Sequence, residues 1–324
     1  MDKRRYFIRK IANALLTIVI IASLNFVLFH MMPGANNARV LMPKGKQNPA
    51  AIAKYEKDHH MDKPMWQQFV IYYWLDLLKG NLGNSTKSGK PVTQEIKEAT
   101  PPTIVLAGLG TILATSIGLT AGVFAGWRRG SKFDLSATNA AMVTYAMPSF
   151  WVGLMVLMVF SAKLGWFPSG GMSDPSVELS GLPAVRSFLN HLALPLFVFT
   201  ITYVAEYLLI MRSSLTQVMN EDFVLTGRAK GLADSDVLWK HTVPNALLPT
   251  VTLVMMNFGF IISGTVLDEV VFNWPGLGLL SYSAMNSYDF PVLQGVFLLM
   301  AVAVVVFNLL ADIMLFYIDP RVTA

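Results

Sequence analysis

Apolar residues in this chain come in long, nearly unbroken runs separated by polar stretches. A bilayer takes about 20 residues of helix to cross. Runs of that length lie at about residues 11–30, 103–126, 137–162, 192–211, 247–267 and 290–317. The pattern predicts an all-α polytopic membrane protein with six transmembrane helices, residues 1–324 forming one transmembrane domain. The first run follows Lys3, Arg4, Arg5, Arg9 and Lys10 and exceeds the apolar core of a signal peptide, which predicts a retained first span. Residues 31–100 are too polar for a membrane; from Gln67 to Leu78 they show an amphipathic rhythm that Gly80 ends, predicting a helix lying on the membrane surface or the bundle. Pro148 should kink the third span. Gly118, Gly122 and Gly126 share one face of the second and predict close helix packing there.

Composition agrees. The 324 residues are 54% hydrophobic and 14% charged, against about 25% charged for soluble proteins. There is no cysteine, hence no disulfide framework or thiolate metal site. The net charge of +5 is small, and the basic residues are scattered over loops, which argues against a nucleic-acid surface. Their distribution predicts sidedness, because short cytoplasmic loops collect Lys and Arg. Both termini and residues 212–246 (with Arg212, Arg228, Lys230 and Lys240) fall inside, as do Arg128, Arg129 and Lys132. The loop Asp268–Asp289 has no Lys or Arg and falls outside. Residues 31–100 also fall outside, since long segments cross largely regardless of charge.

Two tempting motifs carry little. Gly83-Asn84-Ser85-Thr86-Lys87-Ser88-Gly89-Lys90-Pro91 looks like a phosphate-binding loop, but its glycine spacing is wrong, Pro91 replaces the Ser/Thr that would hold Mg²⁺, and no strand precedes it. His59 and His60 are adjacent and point to different sides of any regular element, which favours a polar turn over a chelate. No nucleophile-and-base constellation is visible. The ionisable residues Glu206 and Asp312 fall within or near the ends of spans, where a charge costs roughly 2.5–3.5 kcal/mol or more. Each is a candidate for the solute pathway or for a structural pair with a neighbouring helix.

The most distinctive polar stretch is residues 212–246. Asn220 is the expected N-cap of a short helix, Glu221 to Lys230, with acids in its first turn and Arg228 and Lys230 in its last. Gly231 would end it, and Asp234 or Ser235 would cap a second helix breaking before Pro244. The prediction is a bent pair of helices joined rigidly to the fourth and fifth spans.

At this loop the chain resembles permease subunits of bacterial ATP-binding-cassette importers of the dipeptide/oligopeptide/nickel family, and within it the B-type permeases of peptide importers. Leu225-Thr226-Gly227 stands where the family signature reads Glu-Ala-Ala, Gly231 takes its glycine, and His241-Thr242-Val243-Pro244 its close. Arg228-Ala229-Lys230-Gly231-Leu232 reads as in the peptide branch. Gly80–Ser85, Pro101-x-Thr103, Phe272–Gly278, Asp289-Phe290-Pro291, Asn308-x-x-x-Asp312 and Asp319-Pro320-Arg321 match further family stretches in order. One departure stands at Glu206–Met211, where many members carry a second basic residue.

The resemblance implies a type I importer permease in the bacterial cell membrane, paired with a second homologous permease. Two cytoplasmic ATPase subunits would hold ATP and Mg²⁺, and an extracytoplasmic binding protein would deliver a peptide. This chain would hold no cofactor and catalyse nothing. The loop would dock on one ATPase through Thr226, Arg228, Ala229, Lys230, Gly231, Leu232 and Asp234. Nickel or a nickel chelate is the alternative cargo within the family. An ATP-independent secondary transporter is the more distant reading; it would call for inverted repeats and broken helices.

Overall fold

A computed structural model describes residues 3–33, 48–58, 61–70, 75–174, 180–248 and 265–318, with isolated positions between these segments. The regular elements among the described residues are all helices; their single β contact is an isolated antiparallel bridge between Asn84 and Pro91. Helices α1 (Lys3–Met31), α2 (Pro49–Asp58) and α3 (Met65–Val70) come first. Then follow α4 (Val92–Trp127), α5 (Lys132–Ala146), α6 (Ser149–Val156, continued by a π-helical turn Leu157–Lys163) and α7 (Gly181–Val218). The chain closes with α8 (Asp222–Ala229), α9 (234–248), α10 (Val266–Val271), α11 (Leu277–Asn286) and α12 (Phe290–Ile318). Four of these helices, α1, α4, α7 and α12, are long and apolar enough to cross a membrane, or five if the bent pair α5–α6 is one span. Most of the predicted fifth run, with His59, His60 and Pro249, lies outside the described residues.

The predicted third run is two helices, not one kinked helix. The axes of α5 and α6 differ by 100°. Met147 is held extended (φ −86, ψ 133), as a residue before proline prefers, and Pro148 starts the new helix as its N-cap. Of the expected surface helix, α3 (Met65–Val70) and a turn, Leu77–Lys79, are described, and residues 71–74 lie outside the described residues; Gly80 ends the turn with φ 71.

The longest seam in the fold joins α4 to α7. Small residues recur every fourth position along α4, and Phe199, Tyr207, Met211 and Leu215 fill the facing ridge of α7. A Cβ at Gly118 would sit 2.6 Å from Tyr207 Cβ and 2.9 Å from the Val204 carbonyl oxygen; at Gly122 it would sit 2.7 Å from Met211 Cβ, and at Gly126 3.0 Å from Leu215 Cδ2. Glycine is required here for space, because the two backbones nearly touch.

A second pair, α1 and α12, runs antiparallel. Lys10 Nζ meets Asp312 Oδ2 at 2.7 Å near one end, and Asn25 Nδ2 donates to the Gln294 carbonyl at 3.4 Å toward the other. Asp312 therefore has a structural partner. On α1, Ala22, Phe26 and Phe29 face inward, while Leu15, Leu16, Ile20, Leu24 and Leu28 are exposed, the surface a lipid tail would cover.

Candidate functional site

The loop between α7 and α9 is built by local rules. Glu221 is extended (φ −77, ψ 146) and starts α8, but its side chain makes no cap. Asn220, the expected N-cap, instead donates its side-chain amide to the Thr216 carbonyl at 3.1 Å. Helix α7 runs on to Val218, so Asn220 closes that helix rather than opening the next. The end of α8 behaves as its glycine predicts. Gly231 has φ 78; its N–H bonds to the Arg228 carbonyl at 2.9 Å, and the Leu232 N–H reaches the Gly227 carbonyl at 3.3 Å. This pairing of two backward bonds around a left-handed glycine is a Schellman ending. A Cβ at Gly231 would meet nothing within 4 Å, so glycine is needed for its φ alone.

Ala233, extended, then opens α9, with Asp234 as its first helical residue rather than its cap. The helix passes straight through Pro244, contrary to the predicted break. A π-helical turn, Val237–Thr242, lies immediately before it. That wider turn re-registers the carbonyls that a proline ring would otherwise strike, and Thr242 Oγ1 donates to the Val237 carbonyl at 2.9 Å.

The bent pair is anchored on one side and open on the other. Val224, Gly227, Val237 and Leu238 are buried. Leu238, Val243 and Ala246 join Val123, Met211 and Leu215 in one core cluster, fastening α9 to the ends of α4 and α7. Ser214 Oγ adds a bond to the Ala246 carbonyl at 2.7 Å. Facing outward are Phe223, Leu225 (52% exposed), Leu232 and Trp239, together with Thr226, Arg228, Ala229, Lys230 and Asp234. The Arg228 guanidinium lies 5.4 Å from the centre of the Trp127 ring, at the end of α4. Beside the loop, Asp134 of α5 receives Arg212 of α7 through both carboxylate oxygens, the Nη2–Oδ2 bond being 2.9 Å. Asp134 is 1% exposed and also accepts from Gly130 N at 2.9 Å and Thr138 Oγ1 at 3.2 Å. A bidentate pair of this kind, its carboxylate buried and its guanidinium partly exposed, clamps α5 to α7 just where the loop leaves the bundle.

At the opposite end the acids face inward. Glu269 of α10 is fully buried and accepts from Thr103 Oγ1 (2.7 Å), Thr265 Oγ1 (2.8 Å), Gly278 N (2.7 Å) and Leu279 N (3.2 Å). The last two are free N–H groups in the first turn of α11, so the carboxylate also sits at the positive end of that helix. Burial pushes the Glu269 carboxyl up, and the four donors offset only part of that rise. Asp289, 3% exposed, accepts from Ser85 Oγ (2.5 Å), Thr86 N (3.1 Å) and Lys87 N (3.3 Å). The turn that looks like a phosphate loop thus cradles an anion after all: a carboxylate of its own chain.

Two stretches of the chain, residues 3–107 and 118–324, match the N-terminal and main parts of the family described as binding-protein-dependent transport system inner membrane components. The chain belongs to this family. Relatives of this inner membrane component include the dipeptide transport system permease protein of Escherichia coli K12 (34% identical) and the oligopeptide transport system permease protein of Bacillus subtilis (34%). The di/tripeptide transport system permease protein of Pseudomonas aeruginosa is 32% identical; each comparison covers 98% of both chains.

Of the intramembrane acids read from the sequence, Glu206 is half-buried and its Oε2 accepts from the Asn257 amide at 3.3 Å, while Asp312 pairs with Lys10. From the sequence alone, Glu269 and Asp134 carry no role, and Asp289 enters only within the family stretch Asp289-Phe290-Pro291. The only signal for Asp134 was its place three residues after Ser131, whose hydroxyl caps α5 by accepting from Asp134 N at 3.1 Å. For Asp289 a further signal is the polar turn 83–91 that cradles it.

Proposed function

We propose that this inner membrane component is the permease subunit of an ATP-driven importer of dipeptides or oligopeptides. It has six spans with both ends in the cytoplasm, and it forms half of the translocation path with a second, homologous permease. Two cytoplasmic ATPase subunits hold ATP and Mg²⁺, and an extracytoplasmic binding protein hands over the peptide. The chain itself catalyses nothing. The cargo reading rests on the peptide transport named in the relatives at 32–34% identity over 98% of both chains.

The mechanical reading rests on one observation: a bent helix pair whose inner face is welded to α4 and α7 while its outer face presents apolar and cationic side chains. A stroke delivered to the tip moves α4 and α7 as one body, because their glycine seam leaves no slack. Gly231→Val tests this. A β-branched residue at φ 78 costs about 1–2 kcal/mol and re-aims the tip without touching the bundle. In proteoliposomes of the full complex, the variant should assemble and hydrolyse ATP yet lose peptide uptake, while Gly231→Asn, which tolerates that φ, retains much of it. Unchanged uptake by Gly231→Val would overturn the assignment of the lever. Uptake of nickel in place of peptide would overturn the cargo.

A further inference from the structure

The buried acids at the end opposite the loop divide into two kinds. Glu269 is satisfied by four donors and Asp289 by three. Asp268, next to Glu269 on α10, is not. It is 3% exposed, and its Oδ1 has no hydrogen-bond partner. Successive residues on a helix diverge by about 100°, so Asp268 looks away from the Glu269 cradle, toward α6 and α7. Ser149 at the start of α6 lies beside its carboxylate, and Tyr203 of α7 lies within its field. Glu206, one helical turn along the same face of α7, acts on Tyr203 as well, less strongly than Asp268.

Where α10 packs against α7, a buried carboxylate with an unpartnered oxygen therefore faces a helix that carries a phenol and a second, half-buried carboxylate on one face. Neither acid belongs to any of the ion pairs among the described residues, which join Lys10 to Asp312, Lys90 to Glu98, Arg212 to Asp134 and Lys240 to Asp236. A buried carboxylate with an unused lone pair is costly unless it takes up a proton or a cation visits it. A peptide carries such a cation in its terminal ammonium.

We propose that Asp268, Tyr203 and Glu206 form a binding track for a primary ammonium group of the cargo, received first at Asp268 and passed to Glu206 as the path opens inward. The inference rests on the peptide-permease reading and adds to it a recognition site within the membrane subunit. The ammonium comes from the peptide's N-terminus or from a lysine side chain.

Because the chain has no cysteine, Asp268→Cys and Glu206→Cys each place a single thiol in it. In the full complex during turnover, a trimethylammonium thiosulfonate should modify Asp268→Cys about tenfold faster than its sulfonate counterpart, drawn by the remaining acid, and dialanine should slow it. Equal rates for both reagents, or no reaction in any state, would sink the track. In proteoliposomes with saturating binding protein, Asp268→Asn should cut dialanine uptake about tenfold with ATP hydrolysis intact, and Asp268→Glu should restore most of it. Glu206→Gln, at a half-exposed position, carries the same expectation if Asp268→Asn fails to assemble. Dialanine has only its terminal ammonium; a defect seen with lysyl dipeptides but not with dialanine assigns the track to the side chain. Normal uptake of both cargoes by both variants overturns the inference. The parent complex separates the two levels: if it takes up no peptide, the function is wrong, whereas parental uptake matched by the variants removes only the track.

Discussion

The two ends of the bundle place their charged side chains differently. At the α10–α11 end, Glu269 and Asp289 are turned inward and surrounded by donors, and Trp274 is fully buried with its indole N–H on the Pro102 carbonyl at 2.9 Å. At the loop end, Phe223, Leu225 and Leu232 stand out beside Arg228 and Lys230. A closed polar network over-determines a single geometry and resists deformation. An exposed apolar tip with cations around it is a surface waiting for a partner. In the function proposed above, the α10–α11 end supplies rigidity and the loop tip supplies contact, and the α4–α7 seam connects them.

The largest effect should come from opening the closed end. Glu269→Ala strands four donors at once, three of them buried, and each buried donor left without a partner costs about 1–3 kcal/mol. The purified permease should show a sharply lower melting temperature or a loss of the folded peak in size-exclusion chromatography. A parental melting curve would mean that this end is not what holds the fold.

Asp268 sharpens the contrast within the closed end. Burial raises its carboxyl from 3.8 to about 6. Its contribution to stability is therefore complete below its unfolded value and is lost as pH rises through about 6. Asp268→Asn removes that loss, so the variant should melt above the parent at about pH 7.5, and the gap should close toward about pH 4. A variant that melts lower than the parent at the higher pH would show a carboxylate as well satisfied as Glu269.

The smallest stability effect belongs to the open end. Leu225→Ser at the exposed tip should change folding stability by no more than about 0.5 kcal/mol. It should nevertheless weaken capture of the ATPase subunits in a pull-down of the complex. A melting shift comparable to that of Glu269→Ala would erase the difference between the ends.

Much of the loop was legible in advance because its determinants are local. Gly231 follows α8 where a left-handed residue must, and the acids and bases flank the helix as its dipole asks. The errors there were also local in origin. Asn220 was read as opening a helix when α7 extended far enough to use it, and Pro244 was read as a stop when a π turn absorbed it. The same holds for the third run, where Pro148 carried the break but its sharpness followed from how α6 packs against α7 and α10.

Hydropathy, caps and the glycine repeat act over a few residues, so the sequence by itself determined the helical class, the long apolar helices, the small-residue face of α4 and the turn at Gly231. Only the tertiary structure decided what the buried acids are for. Glu269 meets Thr103 across 166 residues, Asp289 meets Ser85 across 204, and Asp134 meets Arg212 across 78. A carboxylate is satisfied, clamped or left open by whatever donors lie within about 3 Å of it, and nothing in the local order of residues records which distant donors those will be.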